Sequence, residues 1–288
     1  MTYALALFAP VFVALVLSGL VTTCCNAVDR GEPVRVTRVA LSRYLRELGV
    51  HVLVGAMMPL GATDPDPHPT PEGVPERAPV LLIPGYAVNR ACLFFLATYL
   101  RQRGFPWVWA INNRPYSTSI PEHARRLGEA VARLKATTGA DKVDLVAHSM
   151  GGLVAAWYLR NLGGDLHVRQ LITLGTPWQG TRMAIFGKRR QAADMMVHSP
   201  ILRELLPCPV PALSIYSRTD TLVCPWTSAT PAGLETLELP ERDHLELLFA
   251  APAFRAVRDR LLAPPAPRPP QALLVPAEDL PTVQEGEA

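Results

Sequence analysis

Ser149 is the residue whose neighbours most clearly suggest chemistry. It follows a strand-like apolar run at 142–147, and two glycines after it open a helix-like stretch. A serine at a sharp strand-to-helix turn needs tiny residues two positions before and two positions after it, because both flanks of the turn come into backbone contact. Ala147 and Gly151 meet that requirement. The pattern therefore predicts a nucleophile elbow at Ser149.

A serine hydroxyl becomes a good nucleophile only when an imidazole takes its proton and a carboxylate fixes the imidazole tautomer. Asp220 lies in a polar loop after the strand-like run 212–216, and His244 lies after the next such run, 234–239. The order serine, acid, histidine is the one expected after an elbow of this type. We predict Asp220 as the acid and His244 as the base. Asp243 ranks second as the acid, because adjacent side chains seldom meet in the geometry of a triad.

The other histidines are weaker candidates for the base. His148 adjoins Ser149, but on an elbow its side chain is expected to point away from the base, so we predict a packing role. Asp144 lies within the strand before the elbow and is predicted to be structural. The remaining histidines precede the folded body, lie on predicted helices or strands, or fall in a later insert; they are His51, His68, His123, His167 and His198.

Two backbone amides are candidates for an oxyanion hole. Acyl transfer places negative charge on the former carbonyl oxygen, and each preorganised N–H that receives it contributes about 3 kcal/mol. Met150 directly follows the nucleophile and supplies one amide. The other is expected from the loop after the first strand of the body, where Gly85 allows a turn that presents the N–H of Tyr86.

Strand-like and helix-like segments alternate from residue 79 to residue 262. The strand-like runs are short and continuously apolar, which is typical of parallel strands covered on both faces. The alternation predicts an α/β fold with a mostly parallel, doubly wound sheet, which binds ligands at the carboxyl ends of its strands. The predicted strands are 79–83, 107–111, 143–146, 168–174, 212–216 and 234–239, and the predicted helices are 91–103, 121–138, 153–162 and 245–262.

The body of the chain, 79–262, resembles the α/β-hydrolase lipases and esterases. The motifs that carry the resemblance are Pro84-Gly85, A-H-S-M-G-G at 147–152, L-G-T-P-W-Q-G-T at 174–181, and Asp220 and His244 in that order. It implies the α/β-hydrolase fold and cleavage of carboxylic esters, lipid-derived ones above all, through a Ser-His-Asp triad and an acyl-enzyme, with no metal or organic cofactor. Two positions depart from the family pattern, because Trp178 and Pro84 stand where many relatives carry a histidine.

Other functions remain open on the same residues. An alcohol or thiol in place of water would make the protein an acyltransferase, and a thioester substrate would make it a thioesterase. A second class is a catalytically silent, membrane-tethered scaffold, which would be expected to lack a triad member. The residues named above include a candidate for every member.

The insert at 181–207 combines apolar and basic side chains. In the lipases that the sequence resembles, a segment at this place commonly forms a cap over the acyl pocket, and an apolar, basic cap would suit a lipid-derived ester. The alternative is an insert that packs on its own domain and contacts no lipid.

The N-terminal segment is strongly apolar. Residues 3–23 carry no charged side chain and are about long enough to cross a bilayer as a helix. We interpret 1–28 as a single-pass membrane anchor, with a cleaved signal peptide as the alternative. Five arginines between residues 30 and 46 favour a cytoplasmic position for the following domain. A signal peptide would instead indicate a secreted or periplasmic protein.

The regions that flank the body are expected to be less ordered. Residues 29–78 are interpreted as an amphipathic segment and a proline-rich linker, and the apolar stretch 50–60 within them either lies on a membrane surface or packs on the domain. The tail, 263–288, is rich in proline, ends acidic and is predicted to be disordered.

Composition excludes several classes of function. A net charge of +3 without a Lys/Arg run makes nucleic acid an unlikely partner. The five cysteines lack C-x-x-C spacing, so no metal site is predicted. Whether Cys208 and Cys224 pair, and whether the chain forms oligomers, stays open at this stage.

Overall fold

A sheet of six parallel strands forms the centre of the molecule, in the order β2-β1-β3-β4-β5-β6. The computed structural model describes residues 38–63 and 75–264, together with the single positions 21, 24 and 267. The strands are β1 (Val80–Ile83), β2 (Val108–Ala110), β3 (Val143–His148), β4 (Val168–Leu174), β5 (Ala212–Tyr216) and β6 (Glu235–Glu238). The predicted α/β fold with a mostly parallel sheet is confirmed.

Seven α-helices are assigned within the described residues. They are α1 (Arg38–Met57), α2 (Phe94–Arg101), α3 (Ile120–Thr138), α4 (Met150–Asn161), α5 (Arg189–Asp194), α6 (Pro200–Arg203) and α7 (Ala251–Leu262). Short 3₁₀ helices lie at Met58–Gly61, Arg90–Leu93, Gly164–Leu166, Arg182–Phe186, Trp226–Ala229 and Leu245–Leu248.

Strand β1 shows why these runs are continuously apolar. Its alternate side chains Leu81 and Ile83 pack in one apolar layer, and Val80 and Leu82 pack in another, as the two-residue period of a strand requires. Helices α3 and α4 contribute to the first layer, and α2 and α7 contribute to the second. The sheet is therefore covered on both faces and exposes its strand ends, which is where a site can form.

The strand order reverses at β1. The chain runs from β1 outward to β2 and then returns to the other side of β1 to form β3. In open α/β sheets the crevice at such a reversal, beyond the carboxyl ends of the strands, is where ligands bind. The loop after β1 begins at Pro84, and Ser149 directly follows β3. The predicted oxyanion loop and the predicted elbow therefore both lie at this crevice.

Helix α1 packs against the domain. Its residues Val54 and Met57 are buried, and Val54 belongs to the same apolar layer as α2. Of the two roles considered for the stretch 50–60, packing on the domain is therefore the one that the structure shows, although Val52 and Leu53 remain exposed.

One helix predicted as continuous is interrupted in the structure. Residues 245–262 form two helices, the 3₁₀ turn Leu245–Leu248 and α7, with extended backbone at Ala250 (ψ 122°) between them. Pro252 explains the break, because proline lacks an N–H and is tolerated only in the first turn of a helix. Helix α4 also begins earlier than predicted, at Met150, so that β3 leads into the elbow without a linker.

The insert 181–207 packs largely on its own domain. Ala184, Met195 and Leu202 are buried in the apolar layer that holds α3 and α4, whereas Ile185 and Phe186 are exposed. Cys208, just after the insert, and Cys224 are both free thiols, so they do not pair. Burial raises the pKa of Cys208 to about 12.

Several predicted segments fall outside the described residues. They are the membrane anchor at 1–28 apart from two single positions, the linker at 64–74, and nearly all of the tail. Over the part of the chain that the structure does describe, no helix combines the length and the apolar character needed to span a bilayer.

Asp144 offers a test of the packing at the amino end of β3. Its fully buried carboxylate accepts a hydrogen bond of 2.8 Å from Nε of Arg169. We expect Asp144→Ala to lower the free energy of unfolding by about 3 kcal/mol, because removing one partner leaves a charge without its ion pair. Urea denaturation measures the change. As a control, Glu122→Ala, which breaks an exposed pair with Arg125, should cost at most about 1 kcal/mol; equal losses would contradict the expectation.

Candidate active site

Ser149 occupies a strained turn between β3 and α4. Its backbone has φ 53° and ψ −128°, a region that a residue with a side chain seldom adopts. The amide of Ser149 donates to the carbonyl of Leu174 at 2.9 Å, and the Thr176 hydroxyl donates to the carbonyl of Ser149 at 2.9 Å. The end of β4 therefore holds the elbow in place from both sides of the serine.

Close backbone approach explains the glycines around Ser149. A Cβ added to Gly151 would lie 2.6 Å from the carbonyl oxygen of Pro84 and 2.8 Å from that of Ile83. A Cβ added to Gly85 would lie 2.9 Å from the Cβ of Ser149. The elbow and the loop after β1 thus touch through positions that admit no side chain, which is the steric requirement inferred from the sequence.

Asp220 and His244 form a buried pair. Nδ1 of His244 lies 2.9 Å from Oδ1 and 2.8 Å from Oδ2 of Asp220. Oδ1 of Asp220 also accepts from the amides of Leu222 and Val223, both at 2.8 Å. These donors hold the carboxylate in one orientation, and the carboxylate in turn favours the imidazole tautomer with its proton on Nδ1. Nε2 of His244 is then the basic nitrogen, as a general base requires.

A cavity of about 390 Å³ brings the serine and the histidine to one place. Ser149 and His244 both line it, and Asp220, which is not part of the lining, contacts His244. Among the described residues the Ser149 hydroxyl makes no hydrogen bond to His244. Such contacts are commonly long in free enzymes and shorten when substrate binds.

The cavity has an apolar wall. One side comes from α1 and the residue after it: Leu48, His51, Val52, Val54, Gly55 and Met58. The opposite side comes from the loops that follow the strands, including Tyr86, Ala87, Val88, Leu222 and Leu245. The predicted cap at 181–207 contributes no residue to this lining, so the cover over the cavity is α1.

The two predicted oxyanion donors lie near Ser149, the predicted nucleophile. Tyr86 lines the cavity and Met150 begins α4. Neither amide N–H is engaged in a hydrogen bond within the described chain, so both remain available to a ligand. The Tyr86 hydroxyl donates to the carbonyl of Lys188 at 2.8 Å and accepts from its amide at 3.0 Å. The insert therefore braces the loop that carries one of the two donors.

The structure corrects the prediction for His148. Its side chain does not point away from the base: its ring centroid lies 4.7 Å from that of His244, and both rings line the cavity. Nε2 of His148 lies 3.3 Å from the carbonyl oxygen of His244, as a donor would. Burial, followed by the charge of His244, holds the pKa of His148 well below its ordinary value. A neutral His148 therefore packs against His244, the predicted base, without adding a charge beside it.

Sequence reasoning missed Glu47, a buried carboxyl group on α1 that contacts the loops after Asp220 and His244. The apolar stretch that follows it was recognised, but a single glutamate on a helix gives no local signal. Only the packing of α1 against the strand ends reveals it.

Comparison with known proteins agrees with this architecture. A family model described as the alpha/beta hydrolase fold matches residues 78–197. This part of the chain is similar in sequence to the α/β-hydrolase family. The fold predicted from the sequence is thereby confirmed.

Solved structures with this fold include two lipases. The mature form of Bacillus licheniformis lipase BlEst2 is similar with a TM-score of 0.57 and 15% sequence identity, over 67% of this chain and 96% of that chain. Aspergillus fumigatus lipase B is similar with a TM-score of 0.58 and 19% identity, over 68% of this chain and 55% of that chain. At such identities the similarity establishes the fold and leaves the reaction to be argued from the site.

The region that the family model matches holds only part of the site. Residues 78–197 contain Tyr86, Ser149 and Met150. Asp220 and His244 lie after that region, and α1 lies before it. The roles of these three elements therefore depend on the geometry of this chain.

Gly151 is the most direct test of the elbow. We expect Gly151→Ala to lower the rate of labelling by a fluorophosphonate probe by about a hundredfold, because the new methyl group must displace the loop after β1 and misplace the nucleophile. Labelling is followed on a gel over time. Gly49→Ala is the control, since a Cβ at Gly49 meets nothing within 4 Å. Unchanged labelling of Gly151→Ala would contradict the close approach.

Proposed function

We propose that the protein is a serine hydrolase that cleaves carboxylic esters, with lipid-derived esters as its substrates. The observation that carries the proposal is the Asp220–His244 pair, which opens onto the same apolar cavity as a strained Ser149. Lipases among the structurally similar proteins support a hydrolytic role. An apolar cavity of this size suits an acyl chain.

The proposed reaction uses the side chains in turn. Nε2 of His244 takes the proton of the Ser149 hydroxyl as its oxygen attacks the ester carbonyl, and Asp220 stabilises the resulting imidazolium. The N–H groups of Tyr86 and Met150 receive the oxyanion. His244 then protonates the leaving alcohol, which leaves an acyl group on Ser149. Water, activated by the same histidine, releases the acid and restores the serine.

One feature of the sequence extends the proposal to a membrane. Residues 3–23 are apolar and long enough to cross a bilayer, and we propose that they anchor the domain close to its substrate. A cleaved signal peptide is the alternative. Detection of the N-terminal sequence in the mature protein, in the membrane fraction, would favour the anchor, and its removal would favour the signal peptide.

Ser149→Ala tests the nucleophile. A fluorophosphonate probe should label the wild-type protein at pH 8 and should not label Ser149→Ala, because only the activated hydroxyl attacks phosphorus at a useful rate. A wild-type protein that the probe does not label would instead support the catalytically silent scaffold.

Asp220→Asn tests the acid. This variant should keep the fold and lower kcat by about ten-thousandfold, since the amide favours the wrong imidazole tautomer.

A chain-length series tests the substrate class. We expect p-nitrophenyl esters of longer acids to be cleaved with higher kcat/KM than the acetate, because more apolar surface is buried in the cavity. A preference for acetyl groups, with no gain on vesicles or detergent micelles, would remove the lipid substrate. Transfer of the acyl group to an added alcohol or thiol in preference to water would indicate an acyltransferase.

Gly55 allows the acyl site to be located. It lines the cavity, and a Cβ at this position meets nothing within 4 Å. We expect Gly55→Phe to shift the preference toward shorter acyl chains, because the ring would occupy open space at the cavity wall. The control is Gly49→Phe, on the same helix but outside the lining. The same chain-length profile in both variants would place the acyl chain elsewhere.

A further inference from the structure

Glu47 reaches from α1 to the two loops that carry the acid and the base. Its Oε1 accepts from the hydroxyl of Thr221 at 3.3 Å and from the amide of Leu245 at 3.4 Å. Thr221 directly follows Asp220, and Leu245 directly follows His244. Glu47 is only 4% exposed. Its carboxyl group therefore joins the two loops that carry Asp220 and His244.

A second contact from α1 supports the same loop. Nε of Arg46 donates to Oε1 of Glu246 at 2.9 Å, and Oε2 of Glu246 accepts from the amide of Asp243 at 3.1 Å. The histidine loop is thus held on both sides of His244 by groups linked to α1. Strand β6, which precedes this loop, ends at Glu238 and provides none of these bonds.

We propose that Glu47 is a positioning residue of the active site, which fixes the loops of Asp220 and His244 relative to each other and to α1. The proposal rests on the function proposed above, since it assigns Glu47 to the same Asp220–His244 pair. Glu47 touches no reacting atom; it acts through the two loops. Because α1 also forms one wall of the cavity, the same residue couples substrate binding to the alignment of the base.

The surroundings of Glu47 favour a neutral carboxyl group. Burial, followed by the negative charge of Asp243, raises its pKa well above the ordinary value, with smaller contributions from Asp220 and Glu246. Another titratable group that faces it is His51, whose Nδ1 lies 3.5 Å from Oε1. Burial lowers the pKa of His51, so this neighbour is also held neutral. A neutral Glu47 accepts both hydrogen bonds without adding charge beside Asp220.

The pH dependence follows from the direction of that shift. The pKa of Glu47 is higher in the folded than in the unfolded chain, so the folded state binds more protons between the two values. The stabilisation of the folded state by protonated Glu47 is therefore complete below the ordinary pKa of a glutamate. It is lost as the pH rises toward the raised pKa of the folded state. Glu47→Gln removes this ionisation and keeps a carbonyl oxygen for Thr221 and Leu245.

Two variants of the full chain test the proposal by steady-state kinetics. We expect Glu47→Leu, which has no acceptor, to lower kcat by about tenfold or more after correction for active enzyme, with a smaller change in KM. Glu47→Gln should retain kcat within about threefold at pH 6, and should show less decline at higher pH than the wild-type protein. Asp144→Asn, a buried carboxylate at the other end of β3, controls for lost stability.

The outcomes separate positioning from a purely structural role. Rescue by Gln but not by Leu, with a wild-type pH profile in Asp144→Asn, supports the proposal. A wild-type kcat in folded Glu47→Leu would overturn it. Equal losses of kcat in Glu47→Gln and Glu47→Leu would also overturn it, because the carbonyl acceptor would then be irrelevant.

A measurement without substrate keeps this test independent of the proposed function. The Nδ1 proton of His244, held by Asp220, should give an imidazole proton resonance in NMR spectra of the wild-type protein. We expect it to persist in Glu47→Gln and to broaden or shift in Glu47→Leu. If the wild-type protein cleaves no ester, the proposed function fails, and this resonance still decides the role of Glu47: an identical signal in all three proteins would refute it.

Discussion

The site depends on one constraint, which is that Ser149 must be held in a backbone conformation that a serine disfavours. A strain of this kind costs on the order of 1–3 kcal/mol and persists only where neighbouring groups over-determine it. Here the carbonyl of Leu174 and the hydroxyl of Thr176 fix the serine from β4. Gly85 and Gly151 allow the loop after β1 to close against the turn. The positions of the two predicted oxyanion donors and of the cavity follow from this closure.

The parts of the site that were predicted from sequence are those set by local rules. The elbow has a short motif with a steric cause, and the strands have continuous apolar runs because both faces of the sheet are covered. The order of Asp220 and His244 after those strands follows from the fold, and the structure brings the two side chains within 2.8 Å. Their catalytic roles remain predictions that the experiments above address.

The features that sequence reasoning missed are set by packing between distant segments. The break before α7 arises from Pro252, whose effect depends on the conformation that the preceding turn adopts. His148 was expected to face away from His244, the predicted base, but the two rings are in contact. Glu47 and His244 are almost two hundred residues apart along the chain, and no periodicity in the sequence connects them. Such contacts exist only because α1 docks over the strand ends.

The brace between Tyr86 and Lys188 has a consequence for how the rate of reaction could be tuned. A phenol hydroxyl both donates to the carbonyl and accepts from the amide of one residue there, so the loop that carries a predicted oxyanion amide cannot shift without disturbing residues 182–203. That stretch contributes nothing to the cavity wall. Substitutions on the far surface of the molecule could therefore alter turnover while leaving the choice of substrate unchanged, which separates the evolution of speed from the evolution of selectivity in this chain.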